Sequence, residues 1–272
     1  MFREELTRAF WNRSFVIALA LGILSLTQGY LEYIDGPSPS GSGYQDYLSR
    51  LPPFYNNAYD ALIWAQQGLI GLLAPVMAVL PFADSLALDR TRGYLRLVLA
   101  RVSYGRFLLA KYAAVLLSGG AALALPLVLF FVYTNLVLPR GLNPVVEQQR
   151  VLSAPNALGP FGDLYQSAPD MYILGLAGMS FVFGAVYAIF GLAVSAASDN
   201  RYIALATPFM VFFLAHFILS ALGLPNWSPL SPVVPHWLMN ITWLQILLSL
   251  GIVLVSSTVF YVAMAGRMRS RI

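Results

Sequence analysis

Apolar residues along this chain gather in long, nearly unbroken runs rather than in the narrow stripe of a surface helix. Six runs, at residues 15–33, 62–83, 107–138, 171–197, 202–222 and 241–265, are long enough to cross a hydrocarbon layer of ~30 Å as helices. The second is interrupted by Gly68, Gly71, Pro75 and Pro81, breakers that lipid tolerates only where neighbouring helices cover the freed backbone groups. The fourth carries Gly175, Gly178, Gly184 and Gly191 at spacings that let another helix come close. Residues 223–240 hold four prolines with Trp227, His236 and Trp237, too short and too broken to cross, and read as a re-entrant or interfacial hairpin. Residues 1–13 set Phe2, Leu6, Ala9 and Phe10 opposite Arg3, Glu4, Arg8 and Asn12, the pattern of an amphipathic helix lying on a membrane surface. Between 84 and 111, Leu88, Leu95, Val98, Leu99 and Val102 recur at helical spacing while Arg92, Arg96 and Arg101 point elsewhere, which predicts one or two short amphipathic helices. The expectation is an all-α integral membrane protein, residues 1–272 forming a single transmembrane domain with six spans and two long external loops at 34–61 and 139–170.

Composition supports that class. The chain has 272 residues, 58% hydrophobic and only 10% charged, outside the range of soluble domains. It has no cysteine, which excludes disulfides, thiolate metal sites and cysteine catalysis. A net charge of +4 would suit nucleic acid, but the basic residues sit in short clusters beside the apolar runs, so lipid rather than nucleic acid is the expected partner. With both termini in the cytoplasm, 13 of the 16 basic residues fall on the inner side and only Arg50, Arg140 and Arg150 outside, the asymmetry that orients multi-pass proteins in a cell membrane. The first run is too long for a signal peptide and lacks a small-x-small cleavage site.

Little catalytic chemistry is available. A phosphate-binding loop ending in Gly-Lys-Ser/Thr cannot exist, because the only lysine is Lys111, in Leu109-Ala110-Lys111-Tyr112. No charged residue lies at mid-span depth, where such groups serve proton or ion relays. Ser180 and His216 could be imagined as an intramembrane serine–histidine pair, but Gly178-Met179-Ser180-Phe181 lacks the glycine that follows the nucleophile in such proteases. His236 has no neighbours at metal-ligand spacing. The chain is therefore expected to be no enzyme by itself, with no catalytic residue, no metal and no cofactor of its own.

The stretch from Asp89 to Lys111 points further. Asp89 stands four residues before Gly93; then come Tyr94-Leu95, Leu97-Val98-Leu99, Val102-Ser103, Arg106 and Leu108-Leu109-Ala110-Lys111. This resembles the cytoplasmic loop between the second and third helices of type-2 ATP-binding-cassette exporter permeases, with Arg101 where that family commonly has proline and Ala110 where it has glycine. The resemblance implies a permease subunit of a bacterial plasma membrane that pairs with a second permease subunit and docks on cytoplasmic ATPase subunits, which bind the ATP and Mg. It implies a coupling helix in this loop, with Asp84, Asp89, Arg92, Gly93, Arg96, Arg101 and Arg106 as the contact set. Polar and aromatic residues of the spans, Gln28, Gln66, Gln67, Phe212 and His216, would then line a neutral pathway suited to an amphiphilic drug, peptide or lipid-linked molecule. The alternative is a membrane sensor or immunity subunit that binds a ligand through its external loops and transports nothing.

Overall fold

A computed structural model describes residues 1–35, 57–141, 158–238 and 240–269; most of the two predicted external loops therefore lies outside the described residues. Every regular element among the described residues is helical: α1 Phe2–Phe10, α2 Arg13–Asp35, α3 Ala58–Gln67, α4 Ile70–Val79, α5 Ser85–Thr91, α6 Tyr94–Leu99, α7 Tyr104–Val137, α8 Asp163–Ser167, α9 Pro169–Ala197, α10 Arg201–Ala221 and α11 Trp243–Arg269. Helices α2, α7, α9, α10 and α11 are each long and apolar enough to span a membrane, and α3 with α4 makes a sixth candidate, bent by 75° at its break. The molecule is a multi-pass helical membrane protein.

The second predicted span, 62–83, is thus two half-helices rather than one rod, and the breakers read from the sequence explain it. Gly29 and Gly68 bring α2 against the break: a Cβ on Gly29 would lie 2.6 Å from the Ala65 carbonyl, and one on Gly68 would lie 2.9 Å from Gln28 Oε1. The amide of Leu69, freed at the break, donates to Gln28 Oε1 at 3.4 Å. Asn57 caps α3, its Oδ1 accepting from the amides of Tyr59 and Asp60 at 3.0 and 2.8 Å.

Helix α9 is the axis of the bundle. Of its apolar stretch 67% is buried within the protein, against 17% for α10 and 22% for α11, which turn most of their surface outward. It packs on α7 through backbone contact, since a Cβ on Gly119 of α7 would lie 2.9 Å from the Gly184 carbonyl. Gly191 is equally tight against Val79 and Ala83, Gly175 meets the ring of Phe161, and Gly178 faces open space, so the run of glycines serves three contacts rather than one seam. Beside it Phe183 stacks on Tyr187 at 4.3 Å and Phe212 meets both rings edge-on.

One end of the bundle gathers α1, α5, α6, the start of α7, the end of α9 and the end of α11, where Tyr104 donates to the Ala265 carbonyl at 2.7 Å and Tyr261 to the Leu108 carbonyl at 3.1 Å. At the other end, buried Asp60 accepts from Tyr165 at 2.7 Å and Asn57 Nδ2 at 3.0 Å, and Tyr59 donates to Asp170 at 3.1 Å. The proline-rich residues before α11 form two single turns, Pro225–Trp227 and Pro235–Trp237, the first packed against α10 and α11. Gln66 donates to the Val233 carbonyl at 2.9 Å, and His216 Nδ1 lies 2.7 Å from Ser228 Oγ.

Candidate functional site at the charged end of the bundle

Gly93, with φ of +72°, is where the loop after α4 reverses, a backbone conformation that side chains other than glycine's adopt at a cost. It separates α5 from α6, so the amphipathic stretch of the sequence becomes a corner of two short helices. The corner has an inner and an outer face.

On the inner face four charges close a ring. Glu5 and Arg8, one turn apart on α1, are joined at 2.9 Å; Arg8 Nη2 reaches Asp89 Oδ1 of α5 at 2.7 Å; Asp89 Oδ2 bonds Lys111 Nζ of α7; and Lys111 Nζ lies 3.0 Å from Glu5 Oε2. Acid and base alternate, so the ring is neutral overall, and this is what allows Glu5 and Lys111 to be fully buried. The rings of Phe82 and Phe107 stand 4.8 and 5.3 Å from the Lys111 ammonium, and Tyr94 lies 4.6 Å from the Arg8 guanidinium. Burial by itself would lower the pKa of Arg8, but its hydrogen bond to Asp89 and the charges of Asp89 and Glu5 outweigh it and hold the group above its ordinary value.

The neighbouring residue faces the opposite way. Arg90 donates to the carbonyls of Ser195, Ala196 and Ser198 at 2.6, 2.7 and 2.6 Å, taking up the free carbonyls at the end of α9, and its Nε lies 3.0 Å from the exposed carboxylate of Asp199. Asp84 pairs with Arg201 at the start of α10, 3.3 Å apart. Asn12 fixes the corner between α1 and α2, donating to the Pro81 carbonyl at 2.7 Å while its Oδ1 accepts from the Phe15 amide at 2.6 Å.

The contact set expected from the sequence therefore divides. Asp84 and Asp89 are 7% and 2% exposed, spend their charge inside the chain and do not reach the outer surface. Arg8, read as part of a solvent-facing stripe, is instead a member of the ring, because a neutralising partner on each side removes the penalty of turning it inward. Arg92, Gly93, Arg101 and Arg106 are exposed; of Arg96 only the backbone is described. Between α1 and α6 lies an open groove of about 780 Å³ whose lining includes Met1, Glu4, Tyr94, Leu97, Val98 and Arg101.

Among the described residues the expected pathway residues make separate contacts. Gln28 and Gln66 are tied to the helix break and to the turns before α11, Gln67 is partly exposed beside Gln66, Phe212 is packed within the aromatic cluster, and His216 pairs with Ser228. None of them lines the groove at α1, nor the apolar cleft of about 350 Å³ between α2 and α7 bounded by Tyr30, Phe130 and Tyr133. Sequence reading missed Glu5, Arg90 and Asn12. The only signals available were a lone lysine next to an apolar run and an acid three residues before a base in α1.

Fold and charged end together define an all-helical multi-pass membrane protein whose helices converge on a polar joint at one end. No family model, no curated protein and no solved structure matches the chain.

Proposed function

We propose that this chain is the permease subunit of an ATP-driven exporter of the type-2 ATP-binding-cassette kind, which its loop sequence resembles. The observation that carries the proposal is the two-faced corner α5–α6: Arg92 at the end of α5, Arg101 just after α6 and Arg106 at the start of α7 are exposed, while Asp89 and Arg90 tie the same corner to α1, α7 and α9. A surface of that build can receive force from a soluble partner and deliver it to several spans at once. The partner is an ATPase, which binds ATP and Mg; a second permease subunit completes the passage. The charged end lies in the cytoplasm, following the asymmetry of basic residues. There α1 lies at the membrane interface, with Phe2 and Trp11, 47% and 88% exposed, meeting the lipid and Glu5 and Ala9 meeting the bundle. The cargo is amphiphilic and crosses between paired subunits, in keeping with the neutral, closely packed interior of a single chain.

The absence of native cysteine makes the orientation directly testable. Leu97→Cys on α6 and Leu224→Cys beyond α10, 71% and 45% exposed, provide unique thiols at the two ends. A membrane-impermeant maleimide is expected to label Leu224→Cys in intact cells and Leu97→Cys only after permeabilisation. The reverse pattern overturns the proposal.

A further inference from the structure

Helix α9 is contacted at the charged end of the bundle by Arg90 and at the opposite end by Tyr59. Among the five unbroken spans it is the most deeply buried, and its 29 residues at ~1.5 Å each cross the whole bundle. Its last turn is held by Arg90, whose guanidinium takes three carbonyls at 2.6–2.7 Å. Its first turn is held to the broken span, Asp170 accepting from Tyr59 of α3 at 3.1 Å, while Tyr172 donates to the Leu158 carbonyl at 2.9 Å. From α3 the chain of contacts continues through Gln66 to the Val233 carbonyl, in the turns before α11. Along its length Gly184 lies against the backbone of Gly119 and Gly120 of α7, and Gly191 against the side chains of Val79 and Ala83, so α9 is closely packed between its two ends. A rod fixed in this way moves as a unit when its clamped end moves.

We propose that Arg90 is the positioning residue that transmits displacement of α5–α6 to α9, and through α9 to α3 and the turns at 225–237. The inference rests on the reading of this chain as an ATPase-coupled permease. Arg90 faces inward and takes no part in the surface offered to the partner, so its loss is expected to separate two properties that a merely destabilised protein would lose together: ATP turnover by the partner and movement at the far end. The ring around Lys111 holds the other side of the same corner, so α5 stays seated on α1 and α7 when the Arg90 clamp is removed.

The test uses the chain captured from its own membrane together with its associated ATPase, carrying an environment-sensitive fluorophore on Leu224→Cys. In the otherwise unaltered chain, ATP is expected to change the fluorescence at that site. With Arg90→Met added, the change is expected to fall about fivefold or more while the rate of ATP hydrolysis stays within about twofold. Arg90→Lys, which keeps the charge but presents one nitrogen in place of the planar fork of Nη1 and Nη2, is expected to fall between. It also stands in if Arg90→Met does not assemble. A fluorescence change of full size in both variants overturns the role of Arg90. A chain that shows no ATP-dependent change without any Arg90 substitution, or captures no ATPase, overturns instead the permease reading on which the inference rests.

Discussion

Lys111 is the only lysine in the chain, and its side chain has no exposure. Taking an ammonium out of water costs several kcal/mol, an expense the two carboxylates of Glu5 and Asp89 offset only while both remain charged and in place. Lys111→Met is therefore expected to leave two acids facing each other with Arg8 as their sole counter-charge, and to destabilise the fold by about 3–5 kcal/mol in a denaturant titration of the micelle-bound protein. Adding Asp89→Asn to Lys111→Met is expected to recover part of that loss, because the residues share one network. Additive losses would show that the ring is not an energetic unit. Asp84 gives a prediction of opposite sign. Burial raises its pKa, and the charge of Arg201 offsets this only in part. A carboxyl whose folded pKa lies above its unfolded one stabilises the protein most at acid pH, and that contribution is lost as pH rises through the folded value. Asp84→Asn is thus expected to leave the melting temperature unchanged or higher at neutral pH, with the gain vanishing below about pH 4. A markedly lower midpoint at neutral pH would mean that the Asp84–Arg201 pair outweighs the burial cost.

Among elements, the helices that follow from hydrophobicity alone were legible in the sequence. Spans expected at 107–138, 171–197, 202–222 and 241–265 correspond to α7, α9, α10 and α11 within a few residues at each end, apart from α11, whose end runs on past 265. The 62–83 run carried its breakers in plain view, yet a run of apolar residues does not say how far a break will turn. The angle is set by Gly29, Gly68 and Gln28, residues that meet only in three dimensions. The site was legible in part for the same reason. Periodicity separates polar from apolar faces, so it found the outward arginines, but it cannot distinguish a charge facing water from one facing an opposite charge 81 positions away or a helix-end carbonyl 106 positions away. The glycines make the point testable. Gly119→Ala and Gly184→Ala are each expected to cost about 1–3 kcal/mol by forcing α7 and α9 apart. Gly178→Ala, on the same helix but in open space, is expected to be neutral or slightly stabilising. Equal losses at all three positions in thermal unfolding would rule out a specific α7–α9 contact.

For the molecule as a whole, the two ends differ in kind. The end at Asp60, Tyr165 and Asp170 is joined by neutral-to-acid hydrogen bonds, whereas the end at Glu5, Arg8, Asp89 and Lys111 is joined by charges and shows further arginines to the outside. Such an arrangement suits work delivered at one end to a passage formed between subunits. The most direct measurement is capture of the tagged chain from its native membrane, followed by an assay for ATP hydrolysis in what is recovered. The account expects an ATPase to be recovered with the unaltered chain, none with the Arg92→Glu and Arg101→Glu double variant inserted in the membrane at equal level, and no hydrolysis by the chain alone. Recovery of no ATPase, its equal recovery with the charge-reversed chain, or ATP turnover by the isolated chain would contradict it.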